Sequence, residues 1–99
     1  RPSASPRWSV GLAWRIDFAR PAGHELEELD AEIQRRIVRF LRERIEPAPD
    51  PRRIGKALRG GKVPLWAYRV GDWRIVCAIE DKEKRVLVLR VGHRRNVYD

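Results

Sequence analysis

The chain is 99 residues long with a single cysteine, and 22 Lys and Arg against 14 Asp and Glu give a formal charge of +8. That length suits one small domain with a modest core, and no apolar run approaches the roughly 20 residues that cross a bilayer, so a cytoplasmic protein with no membrane contact is expected. Cys77 alone excludes an internal disulfide or a Cys-x-x-Cys knuckle, and His24 and His93 lack finger or helix spacing, so neither a metal site nor a cofactor is expected.

Residues 1–12, with Pro2, Pro6 and Gly11 and no periodicity, are expected to be a flexible lead or expression remnant, and 13–99 the folded domain. Ala13 to Phe18 alternates apolar and polar residues as a half-buried strand does. Pro21 then suits the first turn of a short helix whose Glu25, Glu27 and Glu28 complement the positive end of its dipole. Asp30 is placed to cap a second helix, with Ile33, Ile37, Phe40, Leu41 and Ile45 at helical spacing. Arg35, Arg36, Arg39 and Arg42 fall on its other faces, where a solvated surface is the simplest role, and Pro47, Pro49 and Pro51 end it. Asp50 to Pro64 is predicted to be a loop, rich in Gly and carrying Lys56, Arg59 and Lys62.

Three strands are predicted to close the chain, over about 65–70, 73–79 and 85–91. Gly71-Asp72 between the first two is a two-residue turn with glycine first, which suits type II′ and pairs Val70 with Trp73 and Arg69 with Arg74. Alternation sends Trp73, Ile75, Cys77 and Ile79 to one face, and in the last strand sets Leu87, Leu89 and Val91 against Val88 and Arg90. The predicted fold is α+β, in the order βααβββ: two N-terminal helices on one face of a small, mainly antiparallel sheet, with a basic opposite face. That face collects Arg69, Arg74 and Arg90. Like charges directly opposite on a sheet are destabilising, and a phosphate between them relieves the cost. The excess charge is also uneven, +1 over residues 1–49 and +7 over 50–99, which favours nucleic acid or an acidic partner. Cys77, Trp66 and Trp73 are expected in the core.

Three segments, Gly55-Lys56-Ala57-Leu58-Arg59-Gly60, Tyr68-Arg69-Val70-Gly71-Asp72-Trp73-Arg74-Ile75 and Val91-Gly92-His93-Arg94-Arg95-Asn96-Val97-Tyr98, closely resemble the RelE toxins of the RelE/ParE superfamily over about residues 13–99. The resemblance implies a type II toxin that cuts messenger RNA in the ribosomal A site and is held inactive by a cognate antitoxin, through which alone it would reach operator DNA. It implies a metal-free endoribonuclease in which the substrate 2′-hydroxyl is the nucleophile. Tyr98 matches the proposed base, Arg74 the residue that stabilises the transition state, and Arg94 the one that serves the leaving group, with Arg69 beside them. Since arginine holds its proton to above about pH 12, Arg94 is better suited to electrostatic support than to proton donation. Lys56, Arg59, Arg90, His93 and Arg95 are expected to hold RNA, and His93 is a possible acid.

One position departs from the family. Ala67 lies two residues before Arg69, on the same strand face, where many relatives carry Arg or Lys. Natural tolerance, an attenuated toxin and a substitution that lets cells survive expression all fit. Two other functions stay open: a ParE-like DNA gyrase inhibitor, against which Tyr98 and Arg94 argue, and a non-catalytic RNA- or ribosome-binding module.

Overall fold

In a computed structural model, residues 14–59 and 61–93 are described. The chain runs β1 (Arg15–Phe18), α1 (Arg20–Glu27), α2 (Ala31–Phe40), a π-helical turn (Leu41–Ile45), a 3₁₀ turn (Pro51–Arg53), β2 (Lys56–Leu58), β3 (Leu65–Val70), β4 (Trp73–Glu80) and β5 (Arg85–His93). The strands form one sheet in the order β1-β5-β4-β3-β2. Only β1 runs parallel to its neighbour, the other pairs being antiparallel.

The second helix explains how a ten-residue α-helix covers this sheet. Ile37, Leu41 and Ile45 recur every fourth residue, a spacing that drifts round an α-helix, yet all three are buried. The wider π turn, closed by the Glu46 N–H on the Leu41 carbonyl at 2.9 Å, returns Ile45 to the sheet-facing side. Asp30 occupies the N-cap of α2 as expected, but its side chain accepts no capping hydrogen bond. The first turn of α1 also differs from expectation: it contains no carboxylate, because the helix begins at Arg20 and Glu25 falls in its middle.

Beneath the helices, Tyr68, Ile75, Cys77, Val86, Val88 and Val91 from the sheet meet Trp14, Ala22, Ile37, Leu41 and Ile45. Trp73 packs at the margin of this core, and Trp66, paired with Cys77, is half-buried. Burial pushes the Cys77 thiol well above its ordinary pKa, in keeping with a packing role.

Two further expectations are corrected. The predicted loop from Asp50 to Pro64 holds a 3₁₀ turn and the edge strand β2, which pairs with β3 through Lys56↔Ala67, Ala57↔Trp66 and Leu58↔Leu65. Three residues are too few to show a period of two, so only the partner strand reveals them. The loop is fastened by Tyr68, whose hydroxyl donates to the Pro51 carbonyl at 2.9 Å while its ring faces Gly55.

The second correction concerns β5. Val76 pairs with Arg90 but Cys77 with Val88, so Leu89 is an extra residue in a β-bulge. Inward-facing residues are therefore Val86, Val88 and Val91 rather than an unbroken alternation, and Leu87 and Leu89 do not share the side of Val91 as predicted. Continued alternation would have buried Arg90 and exposed Val91.

The Tyr68 anchor sets a stability expectation. Tyr68→Phe leaves the Pro51 carbonyl without its buried donor and should cost about 1–3 kcal/mol in denaturant unfolding. A Cβ at Gly55 would lie 2.8 Å from the Tyr68 ring and 3.1 Å from the Ala67 carbonyl, so Gly55→Ala should cost a similar amount, about 1–3 kcal/mol.

Glu46, at the end of the π turn, has its carboxyl pKa raised because desolvation outweighs the favourable charge of Arg42. The fold thus prefers the protonated form: that contribution is fully present below the unfolded-state pKa and is lost as pH rises through the folded-state value. Glu46→Gln should unfold at higher denaturant than the parent at pH 7, with the difference closing as pH falls below about 4.

Candidate functional site

The turn at Gly71 aligns the cations of the hairpin. Gly71 has φ +60°, whereas Asp72 is not in the positive-φ region, which selects type II′ over type I′. The resulting register pairs Val70 with Trp73 and Arg69 with Arg74. In a two-residue hairpin the pair beside the turn exchanges hydrogen bonds, so Arg69 and Arg74 form the closer, non-hydrogen-bonded pair, with Cα atoms about 4.5 Å apart. Because Tyr68 and Ile75 point into the core, both arginines face away from the helices.

The next row on that face is Lys56, Ala67 and Val76, joined by the registers Lys56↔Ala67 and Ala67↔Val76. Lys56, Ala67, Arg69 and Arg74, with Ile54, Gly55 and Tyr68, line a hollow of about 260 Å³. Ala67 is buried within this cationic hollow, where its methyl leaves the space between longer side chains open. Lys56 and Arg69 are exposed. The Tyr68 hydroxyl is turned inward onto Pro51, and burial raises its pKa strongly, so it is held as a donor rather than poised to take a proton.

A second hollow on the same face, about 190 Å³, is floored by Leu58, Leu65, Val76 and Leu89 and flanked by Arg59 and Arg90. Arg59 is thus placed away from Lys56, Arg69 and Arg74. Arg90 shares their face by register with Val76, but its Nε donates to Glu25 Oε2 at 3.0 Å, so part of its charge is already matched. His93 lies on the other side of the sheet: it pairs with Trp73, and the two rings meet edge-on at 5.5 Å. Arg94, Arg95 and Tyr98 lie outside the described residues.

The face is not uniformly basic. Toward the β1 edge, Arg85 pairs with Glu80 and Asp17, and Arg15 with Asp17, so cations there are matched by carboxylates. Lys56, Arg69 and Arg74 lie toward β2 and the hairpin. A further cation near the turn was missed in the sequence: an added Cβ at Gly71 would lie 3.2 Å from Arg36 Nη2, which places that α2 guanidinium beside the turn, outside the lining of the hollow. Helical spacing puts Arg36 on the outer side of α2, and no sequence signal links it to a hairpin 35 residues away. The arrangement of Lys56, Arg69 and Arg74 suits an oxyanion or a phosphodiester.

The family of ParE toxins of type II toxin-antitoxin systems (parDE) matches residues 16–98. Toxin RelG of Mycobacterium tuberculosis is 29% identical over 87 residues, which span 88% of this chain and 98% of RelG. Toxin RelE of the same organism is 30% identical over 86 residues, 86% of each chain. Among solved structures, the RelBE2 toxin-antitoxin complex of M. tuberculosis aligns with TM-score 0.74 at 29% identity, covering 84% of this chain and 100% of its counterpart. The archaeal RelE–RelB complex of Pyrococcus horikoshii aligns with TM-score 0.68 at 25% identity, covering 87% and 100%. With the family match spanning most of the chain and the same sheet and helices in these relatives, this protein belongs to the RelE/ParE family of type II toxin-antitoxin toxins, as a RelE-type member.

Proposed function

We propose that the chain is a metal-independent endoribonuclease that cleaves messenger RNA on the ribosome, in the cytoplasm, and so blocks translation. The observation that carries this reading is the cross-strand pair Arg69 and Arg74, beside Lys56, around the open floor at Ala67. In the reaction, the substrate 2′-oxygen forms a bond to phosphorus, the bond from phosphorus to the 5′-oxygen breaks, and a 2′,3′-cyclic phosphate and a free 5′-hydroxyl result. Three tasks follow: removal of the 2′-proton, stabilisation of the phosphorane charge, and support of the departing 5′-oxygen. Arg74 and Arg69 serve the phosphorane, Tyr98 as its phenolate takes the 2′-proton, and Arg94 supports the departing 5′-oxygen, which takes its proton from water. A free phenol near pKa 10 is only about 0.1% ionised at pH 7, and each unit of depression by nearby guanidinium groups raises that fraction roughly tenfold. Lys56, Arg59 and Arg95 hold the RNA backbone. For Arg90 and His93, respectively committed to Glu25 and placed beside Trp73, the expected RNA contacts are at the margin of the site.

In the same reading the toxin is silenced by an antitoxin with acidic, amphipathic segments that cover Arg69, Arg74 or Arg94, or displace the Tyr98 tail. The related toxins in the M. tuberculosis and P. horikoshii structures are in complexes with an antitoxin, which supports such a partner here. Contact with operator DNA runs through that antitoxin. Sequencing RNA 3′ ends after a pulse of expression separates the possible activities. Cuts within codons of translated messages support the ribonuclease, gyrase-linked DNA breaks would replace it with a ParE-like inhibitor, and arrested translation with intact RNA would leave a binding module.

A message with a 2′-deoxy nucleotide at the cut site should bind ribosome and toxin yet remain whole. Cutting of that substrate at the parent rate, or loss of cutting to a chelator that spares the ribosome, would remove the mechanism.

Ala67→Arg should place a further cation among Lys56, Arg69 and Arg74. One transition-state contact of about 2–3 kcal/mol corresponds to roughly 30- to 150-fold in the single-turnover rate on programmed ribosomes at fixed salt. The crowding of like charges should at the same time lower stability by about 0.2–1 kcal/mol. Adding Tyr98→Phe should abolish most of the gain. A saturated rate that Ala67→Arg leaves unchanged, with tighter ribosome binding, would make position 67 a contact and nothing more.

A further inference from the structure

The bulge in β5 needs a fastening, and α1 supplies it. β1 pairs with β5 only from Arg85 to Val88, where the Ala19 N–H on the Val88 carbonyl ends the ladder. Beyond that point no strand among the described residues lies beside the outer edge of β5, and a backbone N–H left unpaired in a half-buried place costs free energy. Glu25, from the middle of α1, reaches this edge with both oxygens. Its Oε1 accepts from the Val91 N–H at 2.8 Å and its Oε2 from Arg90 Nε at 3.0 Å. The carboxylate thus grips the two residues immediately after the extra residue Leu89.

What the bulge determines lies on the opposite face. With it, Val91 pairs with Ile75, Gly92 with Arg74 and His93 with Trp73. Without it, the same strand would set Arg90 against Ile75 in the core and Val91 against Arg74 on the outer face, since a one-residue slip reverses every side chain. Glycine opposite Arg74 offers no side chain to crowd the guanidinium, whereas valine there would.

We propose that Glu25 is a positioning residue of the cleavage site: by holding Arg90 and Val91 it locks the register that sets Arg74 against Gly92 and directs the Arg74 guanidinium into the hollow beside Lys56 and Arg69. The inference rests on the ribonuclease reading above. It gives a role to a carboxylate that the chain places 49 residues from Arg74, on an element that does not line the hollow.

Two substitutions separate reach from charge. Glu25→Asp keeps the charge but is one methylene too short to hold Val91, and Glu25→Gln keeps an oxygen within reach of Val91 but loses the charge. In the full-length toxin, amide exchange at Val91 should accelerate at least tenfold in Glu25→Asp and less than threefold in Glu25→Gln, while Ile75 and Val88 keep their protection in both. Single-turnover cleavage at saturating programmed ribosomes should fall at least tenfold in Glu25→Asp and less than threefold in Glu25→Gln, with ribosome Kd within threefold of the parent. A Glu25→Asp protein that loses Val91 protection but cleaves at the parent rate overturns the proposal, because the lock would then be structural only. Equal slowing in both variants also overturns it, because charge rather than reach would be at work. If the parent itself leaves every message intact, the ribonuclease reading fails and the catalytic half of the proposal with it. The Val91 exchange pattern then decides separately whether Glu25 holds the strand.

Discussion

Burial of the row Tyr68, Ile75 and Val91 beneath α1 and α2 is the constraint on which the rest depends. Strand side chains alternate, so committing these three to the core commits their neighbours to the other face. Arg69 and Arg74 are carried outward by that parity together, and the Gly71 turn sets them opposite each other rather than one step apart. The glycine is favoured by its φ of +60°, and the Arg36 guanidinium lies close beside it. The Tyr68 ring extends the same constraint sideways. By bonding Pro51 and backing Gly55 it draws the preceding turn onto the sheet, and Lys56 follows as the first residue of β2.

Setting two arginines opposite each other on a sheet face carries an electrostatic cost, which solvent and salt screen for a side chain as exposed as that of Arg69. Elsewhere on the sheet the cost is avoided: Arg85 sits between Glu80 and Asp17, Arg15 against Asp17, and Arg90 against Glu25. Lys56, Arg69 and Arg74 gather in one quarter of one face, about a floor that Ala67 leaves low. A group of cations around a hollow is suited to an anionic ligand that arrives from outside. The toxin in the M. tuberculosis RelBE2 complex shares the overall fold that frames this hollow.

Much of the fold was legible in the chain because it is encoded locally. The order of strands and helices, the type II′ turn and the pairing of Arg69 with Arg74 follow from hydrophobic period and from one glycine, each within a span of a few residues. Cys77 in the core follows from the same alternation. Such signals act between near neighbours, and a sequence displays near neighbours directly. The family resemblance, carried by three short segments, added the expectation of an antitoxin and of RNA cleavage, neither of which charge or periodicity contains.

What the chain alone did not disclose depends on partners distant in sequence. β2 exists as a strand because β3 offers it an edge, and its three residues have no period of their own. The bulge at Leu89 arises because Val91, not Arg90, must fill the core beside Ile75, which alternation through the apolar run from Val86 to Leu89 does not reveal. Glu25, by local rules a carboxylate for the helix dipole, instead meets Val91 across 66 positions of chain. Arg36 reaches the hairpin turn in the same way, across the packed interface of α2 with the sheet. Composition and spacing determined which faces of α2, β3 and β4 turn to the core; closure of the sheet on α1 and α2 decided the register at the end of β5 and which outward cations surround the hollow, because that depends on distances only the folded chain defines.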